Sequence, residues 1–371
     1  MSDRLITVAI HTYDHAIALE ALLEQQGVKV TLQNVNLSEP TISPGVRVRI
    51  KESDLPLALR IIENKEIFTS DAPANNELPR ELLVPVDFSD YSLKACETAI
   101  RLAQFHKANL VLLHTYINPV NALRAQLTDV LTFDEGVEET NSRIALQKEA
   151  DKLMEQLSER LLNAMKEGAL PVVKFSCMVS EGVPEEVINQ YAKEHRPMLI
   201  VMGTRGIGTK EREMVGSVTA EVLDTCRQPI FTIPGTVTQL RPDGECNVVF
   251  FSNFDQEDIL ALDALFHLMP ISPMNVILVR LPSKKVPSDS DRALNTLKEY
   301  CTTHYPQHHF SIDTISITNI DEEFGRISET HNINLITVPS KKKNVFARLF
   351  NPGIAHRLLF HSDIPMMVIP V

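Results

Sequence analysis

Short apolar segments alternate with longer amphipathic segments along most of the chain, and this alternation limits the fold more than any other feature. Within residues 81–235, the apolar runs ELLVPVD, ANLVLLHTY and PMLIVMG are separated by helix-like stretches such as SLKACETAIRLAQFHK. Continuously apolar strands between helices predict a parallel sheet that is buried on both faces. We therefore expect an open, Rossmann-like α/β domain in this region.

The same alternation occurs again over residues 245–371, which begin with NVVFFSN and the helix-like QEDILALDALFHLM. Setting VMGTRGIGTKEREMVGS over VPSKKKNVFARLFNPGI matches Gly216 with Gly353, and both stretches lead towards a strand that ends in Ile-Pro. Internal similarity of this kind indicates a repeated structural unit. The sequence thus predicts two tandem open parallel-sheet domains, the second a diverged copy of the first.

The first 70 residues follow a different plan, in which strand-like and helix-like runs come in the order β-α-β-β-α. A short closing strand is predicted at Glu66–Phe68. This order is typical of a ferredoxin-like α+β domain. Residues 71–80 are polar and carry two prolines, so we interpret them as a linker.

Charge and cysteine content narrow the partners and the compartment. The 371 residues have a formal net charge of −12, which argues against nucleic acid or an anionic membrane as the main partner. The five cysteines form no Cys-x-x-Cys pair, as expected of free thiols in a reducing cytosol. Neither a signal peptide nor an apolar run long enough to span a bilayer is apparent, so we expect a cytoplasmic protein.

The stretch GTRGIGTKEREMVGS follows the fourth strand of the first α/β domain. Gly203 and Gly206 would let the main chain approach a phosphate, with Arg205 adding positive charge. Ser217 lies where the next helix begins and is predicted both to cap that helix and to contact phosphate. The glycine order and position exclude a dinucleotide fingerprint, and Gly-Lys-Ser/Thr is absent. The alternative is a plain flexible turn.

Asp87 ends the first strand of the same domain, in VPVDFSDYS. Ligands of open α/β sheets bind at the carboxyl ends of the strands, where a carboxylate can accept hydrogen bonds from a ribose or an adenine amino group. The alternative is a capping role for a helix that begins near Tyr91, although Ser89 or Asp90 would serve equally well.

Together the two elements resemble the universal stress protein family. The sequence has Val86-Asp87-Phe88-Ser89 after the first strand and the spacing Gly-x2-Gly-x9-Gly-Ser after the fourth. The resemblance implies a fold of the adenine-nucleotide α-hydrolase type and a site for ATP, or for AMP or ADP, with magnesium accompanying the triphosphate. It implies adenine and ribose contacts at Pro85, Asp87 and Thr115. It implies phosphate and neighbouring contacts at Met202, Gly203, Arg205, Gly206, Gly216, Ser217 and Val218.

The second copy departs from this pattern. Asn253 replaces Asp87 and Phe251 replaces Pro85, while Ser340, Lys343 and Ile354 are matched with Gly203, Gly206 and Ser217. We therefore expect this copy not to bind ATP, but to pair with the first as an intramolecular pseudo-dimer, as tandem members of the family do. The loop of the second copy keeps its length although it lacks these glycines. We therefore interpret the glycines of the first copy as serving the approach of a phosphate rather than the connection of the chain.

The N-terminal block resembles small ferredoxin-like signal-transducing modules.

No set of residues with a convincing catalytic arrangement is apparent. The stretch THYPQHHF contains three histidines, His304, His308 and His309. No acidic residue or cysteine lies at metal-ligand spacing from them, so they are interpreted as surface residues and no metal site is assigned. His114 follows an apolar strand, where it could lie near the nucleotide, but it is interpreted as a hydrogen-bonded residue at the end of that strand. Three hypotheses remain: an ATP-binding regulatory protein with very slow hydrolysis at most, a nucleotide-free scaffold or chaperone-like stress protein, and an ATP hydrolase or adenylyl-transferring enzyme. A protein partner and a homodimer are further expectations.

Overall fold

The computed structural model describes most of the α/β region and parts of the N-terminal block. The described residues are 5–11, 19–24, 27–34, 46–55, 58, 80–118, 137–205, 216–235, 246–252, 257–269, 271, 273–280, 290–315, 320–340 and 364–371.

The N-terminal block contains a three-stranded antiparallel sheet of β1 (Leu5–His11), β2 (Val30–Asn34) and β3 (Val46–Lys51), in the order β1-β3-β2. Residues 19–24 are helical, and Leu19 and Leu23 pack with Val48 and Ile50 in a small core. The predicted fourth strand at Glu66–Phe68 lies outside the described residues. The ferredoxin-like assignment of this block stays a prediction.

Residues 81–235, here called the first α/β unit, alternate strands and helices as predicted. Its elements are β4 (Glu81–Val86), α1 (Asp90–His106), β5 (Asn109–Tyr116), α2 (Val137–Lys166), β6 (Phe175–Glu181), α3 (Pro184–His195), β7 (Leu199–Gly203), α4 (Ser217–Thr225) and β8 (Ile230–Ile233).

Residues 246–371, the second α/β unit, repeat the alternation, with two helices (α6 and α7) that no sequence pattern singled out. Its elements are β9 (Cys246–Ser252), α5 (Glu257–Leu268), β10 (Met274–Arg280), α6 (Ser290–His304), β11 (His309–Thr314), α7 (Ile320–His331), β12 (Leu335–Ser340) and β13 (Met366–Pro370).

Both units contribute five strands to one ten-stranded sheet, in the order β11-β10-β9-β12-β13-β8-β7-β4-β5-β6. Within each unit the strands are parallel, and the spatial order follows the same rule, with the first strand in the middle. The units meet edge to edge, because β13 pairs antiparallel with β8. The predicted open parallel sheet is therefore present, and the antiparallel joint makes the complete sheet mixed.

The strands form where they do because their side chains are apolar on both faces. Every residue of β7 and of β9 is buried, which suits strands covered by helices on either side. One core lies on the side of α1, α2, α5 and α6, and the other lies on the side of α3, α4 and α7. Each core includes residues of both units, so the packing is continuous across the β8–β13 joint.

The strand register corrects one predicted correspondence between the units. Gly203 pairs with Ile233 in the first unit, and Pro339 pairs with Ile369 in the second. The bond from Ile200 N–H to the Pro229 carbonyl recurs as one from Ile336 N–H to the Pro365 carbonyl. Gly203 thus corresponds to Pro339 and not to Ser340, because the sequence match is shifted by one residue at the strand.

Among the helices that are described, none is long and apolar enough to cross a membrane.

Candidate functional site

The candidate site lies at the carboxyl edge of the first unit, where the order of the strands reverses. From β4 the chain passes to β5 on one side, and it later returns to β7 on the other side of β4. Such a switch point is where open α/β sheets bind ligands. Asp87 directly follows β4, Thr115 lies near the end of β5, and Gly203 ends β7. The fold therefore brings the two predicted halves of the site to one edge.

Asp87 organises the turn from β4 into α1. Its Oδ1 accepts hydrogen bonds from Ser89 N–H at 3.1 Å and from Ser89 Oγ at 2.6 Å. Ser89 is the N-cap of α1, and its Oγ accepts from Ser92 N–H at 3.2 Å. The helix thus begins at Asp90, one residue before the predicted start, and Asp87 supports the capping serine instead of capping the helix itself. Asp87 and Pro85 are only half-buried at this edge.

The turn between Asp87 and Ser89 is held by its neighbours. Phe88 adopts a left-handed conformation with φ 63°, which is unfavourable for a bulky residue and must be stabilised by its surroundings. Its ring lies against the imidazole of His114, with centroids 4.4 Å apart. His114 Nδ1 lies 2.8 Å from the Val86 carbonyl oxygen, and since a carbonyl only accepts, this nitrogen carries the proton. His114 thus has the predicted hydrogen-bonded, strand-end role.

Gly203 is required by packing. A Cβ added at Gly203 would lie 2.8 Å from Tyr91 Cβ and 2.9 Å from the Tyr91 backbone carbon. The first turn of α1 therefore crosses β7 too closely for any side chain at this position. For Gly203, this corrects the interpretation that phosphate approach rather than the fold explains the glycine, because helix packing already requires it.

The start of α4 also differs from the prediction. Gly216 is the N-cap, with φ −67° and ψ 148°, and its N–H donates to the Thr204 carbonyl at 2.8 Å. Ser217 is the first helical residue and is exposed, so the prediction that it caps the helix is wrong. No side chain caps this helix at Gly216. Thr219 Oγ1 donates to the Gly203 carbonyl at 2.9 Å, which fastens α4 to the end of β7.

The remaining predicted residues have different environments. Met202 is buried, whereas Thr115, Arg205 and Val218 are half-buried. Gly206 lies outside the described residues. The guanidinium Cζ of Arg205 is 5.8 Å from the centroid of the Tyr91 ring, and its Nη1 donates to Tyr91 Oη at 3.4 Å.

Tyr91 is the contact residue that sequence reasoning missed. It lies in the first turn of α1, where a single tyrosine carries no pattern that marks it. Only the crossing of α1 over the end of β7 reveals that its ring, its Cβ and its backbone meet residues more than a hundred positions later in the chain.

No cluster of three or more histidine, cysteine or acidic side chains able to hold a metal ion occurs in the described part of the chain. The prediction that His308 lies on the surface is wrong, because it is buried against Phe266 with ring centroids 4.1 Å apart. Its Nδ1 accepts from Met274 N–H at 3.1 Å, and burial lowers the pKa of His308. The five cysteines are free thiols, and burial raises the pKa of Cys246 to about 12, which disfavours a reactive thiolate.

The corresponding edge of the second unit is occupied by its own side chains. Phe251, which takes the place of Pro85, is buried and stacks with Phe324 of α7 at 6.2 Å. Ser252 Oγ donates to Asp258 Oδ2 at 2.6 Å, and Asp258 is 0% exposed. A carboxylate without exposed surface is inaccessible to a ligand in this conformation.

The fold and the site define a doubly wound α/β protein with polar groups gathered at its switch point. Residues 79–234 match the model of the universal stress protein family. Universal stress protein YxiE of Bacillus subtilis is 33% identical over 149 residues, which cover 39% of this chain and 94% of that protein. Universal stress protein MJ0531 of Methanocaldococcus jannaschii is 29% identical, over 42% of this chain and 82% of that protein. The chain belongs to the universal stress protein family.

A solved structure extends the likeness of fold beyond this region. A universal stress protein from Archaeoglobus fulgidus superimposes with a TM-score of 0.54 and 16% identity, and covers 78% of this chain and 98% of that one. This similarity concerns the fold alone. It spans more of the chain than the 39% aligned with the Bacillus protein.

Proposed function

We propose that the protein is an ATP-binding regulatory member of its family, with one nucleotide bound by residues 81–235. The observation that carries the proposal is the meeting of Asp87, Arg205 and the uncapped start of α4 at one switch-point edge. These groups supply an acceptor for the nucleoside and positive potential for the phosphates.

In this proposal, Pro85, Asp87 and Thr115 face the adenosine, with Asp87 accepting from the ribose or the adenine amino group. The phosphates lie against the loop and the start of α4, at Met202, Gly203, Arg205, Gly206, Gly216, Ser217 and Val218. Because Gly216 N–H already donates to Thr204, the first-turn N–H groups of Ser217 and Val218 are the better phosphate donors. AMP or ADP would use the same nucleoside contacts, and magnesium would accompany ATP.

The proposed role is regulatory because the polar side chains His114 and Ser89 at this edge already take part in hydrogen bonds that hold the fold. His114 Nδ1 is engaged with the Val86 carbonyl, and Ser89 is engaged with Asp87. Hydrolysis, if measured, should therefore be very slow, which distinguishes this proposal from an ATP hydrolase or an adenylyl-transferring enzyme.

A nucleotide-free scaffold is the second candidate, and a specific observation favours it. Packing against Tyr91 accounts for Gly203, and the Gly216–Thr204 hydrogen bond closes the ends of the loop on each other. Both features stabilise the unit without a ligand, so retention of the loop for structure alone is the competing explanation.

The other parts of the chain complete the proposal. The second α/β unit is proposed to be a diverged universal-stress-type domain that has lost nucleotide binding and serves as an intramolecular pseudo-dimer partner through β13 and β8. The N-terminal block is proposed to be a ferredoxin-like signal-transducing module. We propose that the protein is cytoplasmic. A protein partner, or a second copy of the chain, would bind the surface that forms when nucleotide is bound.

The first test is whether adenine nucleotide accompanies the protein. The purified chain is denatured, and the released ATP, ADP and AMP are quantified by chromatography; titration calorimetry then measures binding to the nucleotide-free protein. We expect recovery of nucleotide or saturable binding. No nucleotide after purification and no binding up to millimolar ATP would reject the proposal in favour of the scaffold.

The second test separates nucleotide binding from folding. Gly216→Asp introduces a favourable N-cap whose carboxylate occupies the start of α4, so the melting temperature should be kept or raised. Its negative charge should weaken ATP binding by about 100-fold, because like charges are brought together in a partly buried site. Gly216→Asn, a neutral cap of the same shape, is the matched control and should lose much less. Equal ATP affinity in Gly216→Asp and the wild type would contradict the phosphate position.

A further inference from the structure

Tyr91 is fixed between two glycines. Its Cβ and backbone lie against Gly203, where a Cβ would come within 2.8 Å. The edge of its ring lies against Gly235, where a Cβ would be 2.7 Å from Tyr91 Cε1. The absence of side chains on both sides lets the ring lie between the end of β7 and the exit from β8. A ring packed in this way has little rotameric freedom left.

Arg205 uses this ring as a platform. The guanidinium lies 5.8 Å from the ring centroid, within the range of a cation–π interaction, and Nη1 donates to the tyrosine oxygen at 3.4 Å. Arg205 is the second residue after β7, at the edge where the ends of β4 and β7 meet. Contact with a rigid aromatic surface restricts an otherwise long and flexible side chain before any ligand arrives.

We propose that Tyr91 is a positioning residue that holds Arg205 for a phosphate group, and so makes the site prefer nucleotides over nucleosides. The inference rests on the proposed nucleotide site and adds a selectivity element to it. Tyr91 itself need not touch the ligand. Its contribution is that the guanidinium is already oriented, so less conformational freedom is lost when phosphate binds.

The test compares ATP with adenosine, which lacks the phosphates. Equilibrium dialysis with radiolabelled ATP and adenosine gives both affinities for the wild type, Tyr91→Leu, Tyr91→Phe and Arg205→Ala. We expect Tyr91→Leu to weaken ATP binding about fivefold, in line with the strength of a cation–π contact, and to leave adenosine unchanged. Tyr91→Phe keeps the ring and should lose about twofold or less. Arg205→Ala should show the same split between the two ligands.

A double variant tests whether Tyr91 acts through Arg205. If it does, Tyr91→Leu combined with Arg205→Ala should bind ATP no more weakly than Arg205→Ala alone, because the effects of coupled residues are not additive. Additive losses, or equal losses of ATP and adenosine, would show a merely structural role and overturn the inference.

The two proposals fail in different ways. A wild type that binds ATP while Tyr91→Leu binds it equally well overturns the positioning role and leaves the nucleotide site intact. A wild type that binds neither ligand overturns both. If Tyr91→Leu does not fold by circular dichroism, Tyr91→Phe and Tyr91→His, each with and without Arg205→Ala, decide the question by the same ATP-to-adenosine ratio.

Discussion

Each α/β unit joins its first strand to its first helix with a serine–carboxylate pair, but the two pairs are placed in opposite ways. In the first unit, Asp87 follows the strand and accepts from Ser89, the helix cap, and the carboxylate stays half-buried at the edge. In the second unit, Ser252 ends the strand and donates to Asp258 within the helix, and the carboxylate has no exposed surface. The same two groups therefore make an accessible acceptor in one unit and an internal hydrogen bond in the other.

The difference shows that strand pairing and edge chemistry vary independently in this protein. The interstrand bond from Met198 N–H to the Glu81 carbonyl has its counterpart in the bond from Asn334 N–H to the Asn247 carbonyl. Backbone hydrogen bonds are indifferent to the side chains at the ends of the strands, so the fold persists while those side chains change. Pro85 and Gly203 of the first unit accordingly correspond to Phe251 and Pro339 of the second unit.

The largest expected effect comes from removing the buried carboxylate. Asp258→Ala should lower the free energy of unfolding by about 3 kcal/mol, because it leaves Ser252 without this acceptor and opens a gap in a closed core. Urea unfolding followed by circular dichroism measures the change. Ser92→Ala, at the corresponding position of the first unit, should cost about 1 kcal/mol, since only one hydrogen bond to the Ser89 carbonyl is lost.

Replacing both Ser252 and Asp258 by the residues of the first unit tests the same difference between the units. Ser252→Val together with Asp258→Ser gives the second unit the residues of Val86 and Ser92. This double variant should recover most of the stability lost in Asp258→Ala, because both partners of the buried hydrogen bond are replaced at once. A double variant as unstable as Asp258→Ala would mean that the two units are not equivalent at this junction.

An intermediate effect is expected at the glycine that α1 crosses. Gly203→Ala should destabilise the protein by about 2 kcal/mol, because the new methyl group overlaps Tyr91. Gly325→Ala in α7 is the matched control, since a Cβ there meets no heavy atom within 4 Å. That variant should gain roughly 0.5 to 1 kcal/mol from helix propensity. Opposite signs in chemical unfolding support the packing explanation, whereas two neutral substitutions would contradict it.

The smallest effect concerns a buried hydroxyl in the second unit. Thr337 Oγ1 is buried, and no hydrogen-bond partner for it exists among the residues described. Its counterpart in the first unit is Val201. Thr337→Val should therefore stabilise the protein by about 1 kcal/mol, and Val201→Thr should destabilise it by at least as much. Thermal unfolding of the two variants checks this reciprocity; loss of stability in Thr337→Val would show that the hydroxyl has a role.

Most of the fold could be predicted from the sequence because the buried strands are runs of apolar residues. Runs such as those of β4, β5 and β7 are apolar at successive positions, and that pattern has few solutions other than a covered parallel sheet. The start of α3 also has a signal in the sequence, because Pro184 and two acidic residues mark its first turn. Helices α6 and α7 were not singled out, as the patterns that guided the prediction were the strands on either side.

The candidate site was predicted in part. The positions of Asp87 and the glycine loop after their strands follow from chain order, and parallel strands bring such positions to one edge. The cap of α1 was left open between Ser89 and Asp90, and the cap of α4 was wrongly predicted to be Ser217, because residue type allows several caps and the backbone geometry selects among them. The one-residue shift between Gly203 and Pro339 was missed because the loops differ while the strands pair in register.

The sequence by itself determined the two α/β units, the order of their strands along the chain and the residues that end those strands. These features follow from local patterns of apolar and polar residues, which act wherever the segment lies. Only the tertiary structure decided that β8 and β13 join the units, that Tyr91 lies against Gly203 and beneath Arg205, and that Asp258 is closed off while Asp87 stays within reach. Those facts depend on contacts between segments far apart in the chain, whose geometry is set by packing rather than by any local pattern.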